Sequence, residues 1–460
     1  LVTLIDQESG IFMGELNEAR LQAVRVLLQR TPDVAVQRLC SLLARDGSDD
    51  RSLRLVRQLV NAEARDRRFK NLTFEPLAVL CKAATATPYL SFPHATPGLL
   101  WNAVKAHQPS LISRLDEAEP NADRPDTLAL MDEICAAAGA GLASRATPAF
   151  AALADRLDTS PKGSAHVVTL LAMTADLRHA LARAPTWLGT IGSTHAPAIR
   201  IAFRSAAEKG ADAGFLFVET LFATLEQPAL VLRLISTIME RPSDRFLAAS
   251  ELSTICERLL DTVDRHVAAV QAFESHRGLE GGVAAAAAAD AATQIISEFE
   301  ANLVMAREGV WGARILGQRR ALNLAMEMRL REVEAAMAAA LPVKMARVNG
   351  KQLRGPPNLA QLPHPPAVDK VMALAALLNG CGAAAHVTGF TALRGKVIEA
   401  QDQALEAYIQ DVLDLLNKGQ APVEMARAYL DIAAELFGLV RDPKAADLVR
   451  RRFLAAAAAA

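Results

Sequence analysis

At 460 residues the chain exceeds what one small core can hold, so about two to four domains or an extended helical array are expected. A hydrophobic share of 51% excludes global disorder, and only 5% aromatic residues argues against sandwiches rich in aromatic and β-branched side chains. With 50 basic and 51 acidic residues the net charge is −1, which excludes a global pull toward nucleic acid or membrane and leaves electrostatics to local surfaces.

Apolar residues recur at helical spacing almost throughout. Leu16, Ala19, Ala23, Val24 and Leu27 form a first stripe, and Leu53, Val56, Leu59 and Val60 a second. Ser/Thr-Pro pairs precede several periodic segments, at Thr31-Pro32, Thr87-Pro88, Thr96-Pro97, Thr147-Pro148 and Ser160-Pro161. A hydroxyl can accept from an orphan amide there, and proline at the first helical position loses no bond. Asp50 stands ahead of a helix as a cap. Gly210, Gly309, Gly419 and Gly438 follow helical runs and read as stops. The strand-like run Phe215–Val218 sits inside a longer helical period.

Residues 1–241 read as short helices with brief connections, either an irregular domain or stacked pairs of the HEAT or tetratricopeptide kind, although no residue-level period is present. After Pro242-Ser243-Asp244 the periodic segments lengthen, near 245–276, 290–307, 311–341, 396–417 and 421–437. Residues 242–460 therefore read as a long-helix antiparallel bundle. One stripe there is Leu322, Met326, Leu330, Val333 and Met337; another is Leu405, Ile409, Val412 and Leu416. The fold class is all-α, with no sheet beyond two short strands. Two six-alanine tracts, 284–289 and 455–460, are strong helix formers. The most apolar window, 371–390, is broken by Asn379, Gly380, Gly382, His386 and Gly389, which suits a buried helix with a broken end better than a membrane span.

Five dispersed cysteines without a CxxC pair argue against a disulfide framework or a zinc knuckle, and their apolar surroundings make buried thiols the expectation. With no charged-then-apolar leader, a cytoplasmic location is expected. The nine histidines include no HExxH and no ExxH. Asp261, Asp264, His266 and His276 share one periodic segment, but the spacing of the two aspartates from His266 does not bring ligands together. No metal and no cofactor is expected, and no phosphate loop or nucleophile motif offers a catalytic residue.

Two basic features stand out. Residues 51–70 hold seven basic and two acidic side chains, and Arg54, Arg57, Arg65 and Arg68 share one helical face. Such a ridge suits phosphate or carboxylate, or is a solvated face paired with acidic neighbours. The second feature is the stretch 342–366, a proline-rich basic loop with six prolines, Lys344, Arg347, Lys351 and Arg354, and no acid. Upstream lie Arg314, Arg319, Arg320, Arg329 and Arg331, so charge can gather at one end of a bundle. The leading expectation is a non-enzymatic scaffold that binds a protein partner. A module binding an anionic ligand or nucleic acid through the ridge is the alternative. An enzyme whose site is assembled from distant helices is the third.

Overall fold

The computed structural model describes residues 18–45, 50–82, 89–116, 118–121, 124–189, 194–348 and 351–459. The protein is 80% helical, and the described residues form 22 helices with one two-stranded sheet, so the all-α class holds. Two compact units, Leu1–Leu225 and Glu226–Ala460, divide the chain.

In the first unit, helices Glu18–Arg30 and Asp33–Arg45 pack on the helix Arg51–Thr73. Leu28, Val36 and Val60 are buried between them, with Val24, Leu39, Val56 and Leu59 around the edge. The second apolar stripe thus faces the core as its spacing implies. Of the first, Ala19, Ala23 and Leu27 are exposed, Val24 packs at the core edge, the buried line is turned by one residue onto Leu28, and Leu16 lies outside the described residues. Further along, Phe74 meets Trp101 edge to face at 6.2 Å. The helix Pro125–Ser144 is long and apolar enough by length and composition to cross a membrane, but half of that stretch is buried inside the fold. Phe215–Val218 lies within the helix Ala213–Phe222, buried on nearly every side.

Helices of the second unit are longer, with Gly278–Asn302, Val310–Ala340 and Thr391–Asn417 reaching 25, 31 and 27 residues. All five residues of the stripe from Leu322 to Met337, and all four from Leu405 to Leu416, are buried. The helix Gly278–Asn302 packs tightly on Pro365–Gly380. A Cβ on Gly282 would stand 2.1 Å from the Ala373 carbonyl oxygen, and one on Gly380 would stand 2.6 Å from Ala286 Cβ. Gly281, Gly282, Ala285, Ala286 and Ala289 are the buried residues along this part of the first helix, so the alanine tract is a packing face. The apolar window 371–390 breaks at Cys381, where Pro365–Gly380 and Gly382–Thr388 meet at 62°.

The unit boundary lies ahead of the Pro242 break because residues 226–241 pack on helices of the second unit. Gln294 donates to Gln227 at 2.7 Å, Arg233 grips Glu298, and the helix Val231–Met239 lies on Gly278–Asn302. The expected segment 245–276 is divided into Asp244–Ala248 and Ser253–Gln271. Asp244 is held by the Ala306 amide, and the Asp244 amide donates to the Val304 carbonyl at 3.1 Å.

Capping follows the sequence in part. Asp50 accepts from the Leu53 amide at 3.0 Å, and Thr147 accepts from Phe150. Thr31 and Thr96 instead donate back to the Leu27 and Pro93 carbonyls, and the helix after Ser160-Pro161 begins only at Gly163. Thr87-Pro88 lies outside the described residues. Gly419 follows its helix in the left-handed region, whereas Gly309 precedes one and Gly438 lies inside one, against Ala446.

The stretch 342–366 is not a loop throughout. Val343–Val348 (β1) and Lys351–Pro357 (β2) form an antiparallel pair, with Val343 opposite Pro357, Arg347 opposite Gln352 and Val348 opposite Lys351. Backbone pairing across closely spaced strands overrides the coil tendency of the prolines: Pro342, Pro356 and Pro357 fall at the hairpin base where the ladder ends, and Pro363, Pro365 and Pro366 lie beyond it.

Candidate functional site

The basic ridge comes apart at the side-chain level. Arg54 and Arg68 are exposed, whereas Arg57 and Arg65 are half-buried. The Arg65 guanidinium donates to the Leu115 carbonyl at 2.7 Å and to that of Ala118, and it lies 5.7 Å from the Phe69 ring centre. Arg65 therefore holds the short turn after Ser113 against its own helix, and its fork is engaged by backbone oxygens. Beside it is a cleft of about 590 Å³ with Leu59, Phe69, Ile112 and Leu115 in its walls. Charges around the cleft answer one another: Lys105 donates to Asp66 at 2.9 Å, Trp101 Nε1 donates to the same carboxylate, and Glu63 pairs with Arg67.

Arg67, which lies off the predicted ridge, is a deeply engaged cation of this helix. It donates to Glu63, to Asp33, and to the Leu28 and Thr31 carbonyls, all at 2.6–2.7 Å. Its position on the inner side of the helix, one residue from Arg68, is the signal in the sequence that could have found it.

The acidic group at 257–264 surrounds an arginine. Arg314 pairs with Glu257 at 2.9 Å, with Asp261 at 2.5 Å, and with Asp264. Burial lowers the Arg314 pKa, but Asp261 and Asp264 outweigh it and raise the guanidinium above its ordinary value. Among the described residues, no group of three or more His, Cys, Asp and Glu is placed to hold a metal. A His–Asp contact invisible to spacing does occur: His166 Nε2 lies 3.5 Å from Asp212, which also receives Lys162 at 3.0 Å. That ammonium competes for the same carboxylate, which favours a structural role.

Four of the five thiols, Cys81, Cys135, Cys256 and Cys381, are buried, as the apolar surroundings imply. Burial pushes Cys81 and Cys135 up to about 12 and Cys381 up to about 11, leaving almost no thiolate at neutral pH.

At the hairpin, Lys344 is exposed. The strand positions of Arg347, Lys351 and Arg354 are described, but their side chains lie outside the described part. The base is firmly held: the Asn358 amide donates to the Pro342 carbonyl at 2.8 Å, and Tyr429 donates to the Gln361 carbonyl at 3.0 Å. A Cβ on Gly355 would stand 2.6 Å from the Lys344 carbonyl oxygen. β2 packs along Thr391–Asn417, and the sheet ends at β1 on its other side. Most of the upstream arginines are paired with acidic neighbours. Arg319 pairs with Glu300, Arg329 with Glu332, and Arg331 with Glu327, while Arg320 is exposed. The dipeptide Asn349-Gly350 between the two strands is the signal that could have found the hairpin.

Comparison with protein-family models, curated proteins and solved structures gives no match to this chain.

Proposed function

We propose that the protein is a non-enzymatic helical scaffold that docks an acidic protein partner on the hairpin 343–357. The observation that carries this reading is the hairpin itself: a two-stranded sheet in an otherwise helical fold, in a stretch with four basic residues and no acid. Edge strands carry backbone donors and acceptors that an extended segment can pair, and basic residues favour an acidic one. A base held by Asn358, Pro342 and Tyr429 keeps that edge in one place, so little ordering entropy opposes docking. The five free cysteines fit a reducing compartment, and a cytoplasmic location is part of the reading.

The alternative, an anionic ligand or nucleic acid on the Arg54–Arg68 face, has less support because Arg65 is engaged by carbonyl oxygens. The test is affinity capture from the source cell with the full chain and with Lys344→Glu/Lys351→Glu. Partners held by wild type should be lost by the variant at unchanged melting temperature. Identical partner sets would reject the hairpin as the docking element. Salt-dependent binding of an oligonucleotide, lost in Arg54→Glu/Arg68→Glu, would favour the alternative.

A further inference from the structure

The helix Val310–Ala340 buries one side, the stripe from Leu322 to Met337, and its outer side is apolar as well. Leu316, Leu324 and Met328 are 43%, 70% and 52% exposed, and their spacing of eight and four residues puts them in one row on the helix surface. Single exposed apolar side chains are ordinary on a folded protein, whereas a row of them on one long helix marks a surface that meets something. Gly317 and Ala335 are exposed on the same side, and a Cβ on Gly317 would meet nothing within 4 Å. Glycine weakens a helix interior, and no contact within the chain calls for it here; close approach of a second backbone does.

Charge says what covers this face. Arg320 and Glu334 are exposed on it, and neither has an oppositely charged partner among the described residues. Arg331, between them, is already answered by Glu327. Arg320 and Glu334 are fourteen residues apart, nearly four turns, so they lie on the same flank of the helix. An acidic helix of another protein would answer Arg320 and leave Glu334 unanswered, and a basic helix would do the reverse. The same helix run in the opposite direction answers both. With two copies antiparallel about a two-fold axis near residue 326, Leu324 meets the second copy's Met328 and Gly317 meets the second copy's Ala335. Arg320 then falls within two residues of the second copy's Glu334, an offset of about 3 Å along the axis that an arginine side chain spans. The two-fold repeats each contact, which gives two ion pairs around an apolar centre.

We propose that this face binds a second copy of the chain as an antiparallel, two-fold symmetric helix pair. It is separate from the hairpin 343–357, so the two readings stand or fall independently.

The experiment is sedimentation velocity and light scattering on the full chain. One helix pair makes a small interface, so the range to scan is about 1–100 µM. Wild type should reach twice the chain mass of 49.2 kDa within it. Leu324→Glu, at a position too exposed to matter for folding, should weaken the dimer at least about tenfold, with the helical circular dichroism unchanged. Arg320→Glu and Glu334→Arg should each weaken it about tenfold, because each sets like charges against each other twice. Mixed in equal amounts, these two variants should dimerise with each other, and the double variant should dimerise alone. A wild type that stays monomeric to about 100 µM would overturn the proposal and leave the face to a different protein. A dimer untouched by Leu324→Glu would also overturn it, and single variants that are not rescued by mixing would overturn the antiparallel register.

Discussion

The Arg67 guanidinium is 11% exposed and serves two carboxylates and two backbone carbonyls that belong to three different helices or their connection. Truncation to alanine would remove the Arg67 donor from the Thr31 carbonyl and leave the Leu28 carbonyl with the Thr31 amide alone, in a cluster whose apolar part is only Leu28, Val36 and Val60 with their half-buried neighbours. Arg67→Ala should cost about 2–3 kcal/mol, less than for a fully buried pair because Asp33 is 41% exposed. Arg68→Ala, one residue on and exposed, should be nearly neutral. Urea unfolding of the two variants measures the contrast, and equal midpoints would refute it. Acid adds a second handle. Burial raises the Asp33 carboxyl, but the hydrogen bond from Asn71 and the charges of Lys70 and Arg67 outweigh it and hold it below the usual carboxylate range. A lowered folded-state value means the contribution is complete above the unfolded value of about 3.9 and is lost as pH falls through the folded one. The gap between wild type and Arg67→Ala should therefore narrow below about pH 4 and stay constant from about pH 5 to 7.

At the scale of elements, small residues set how closely helices approach. Gly282 lets Gly278–Asn302 touch the backbone of Pro365–Gly380, and the nearest atom to an added Cβ is a carbonyl oxygen, which cannot swing aside as a side-chain end can. Gly282→Ala should destabilise by about 1–3 kcal/mol, the usual cost of overpacking. Gly395, inside Thr391–Asn417, has open space around it, so Gly395→Ala should instead gain up to about 1 kcal/mol from helix propensity. Thermal melts of both variants moving in the same direction would contradict the packing argument. The same contrast shows what sequence can reveal. Stripes such as Leu322–Met337 are legible because a helix that is long and amphipathic repeats its signal over several turns. The stripe of Glu18–Arg30 reads one residue off because few of its side chains are buried, so the boundary between faces is weak. The hairpin escapes a reading by periodicity because Lys, Arg and Pro dilute the alternation and only Asn349-Gly350 marks the turn. The cavity between Val310–Ala340 and Thr391–Asn417 is beyond reach: Ala338, Ala400 and Ala404, two of them more than sixty residues from the third, look like any others until two helices are set side by side.

For the whole molecule, the position of the division between units has a measurable consequence. Val231, Leu232, Leu234 and Ile235 are fully buried, on a helix that lies against Gly278–Asn302, and Arg233 on that helix grips Glu298, which Asn302 also approaches at 2.8 Å. A sequence boundary after residue 241 assigns this helix to the first unit, whereas its partners lie in the second. Expressed alone, residues 226–460 keep those contacts and carry their own core around Ile296, Trp311, Leu322, Leu374 and Leu405, so the fragment should melt in one cooperative transition. A fragment of residues 242–460 uncovers the apolar face of Gly278–Asn302 and leaves Glu298 without its arginine, two changes of the kind that destabilise by several kcal/mol. It should melt markedly lower, or lose cooperativity and bind a hydrophobic dye. Calorimetry on the two fragments decides the matter: coincident transitions would mean that the helix Val231–Met239 contributes little to the second core, and the division at 225 would then have no energetic content.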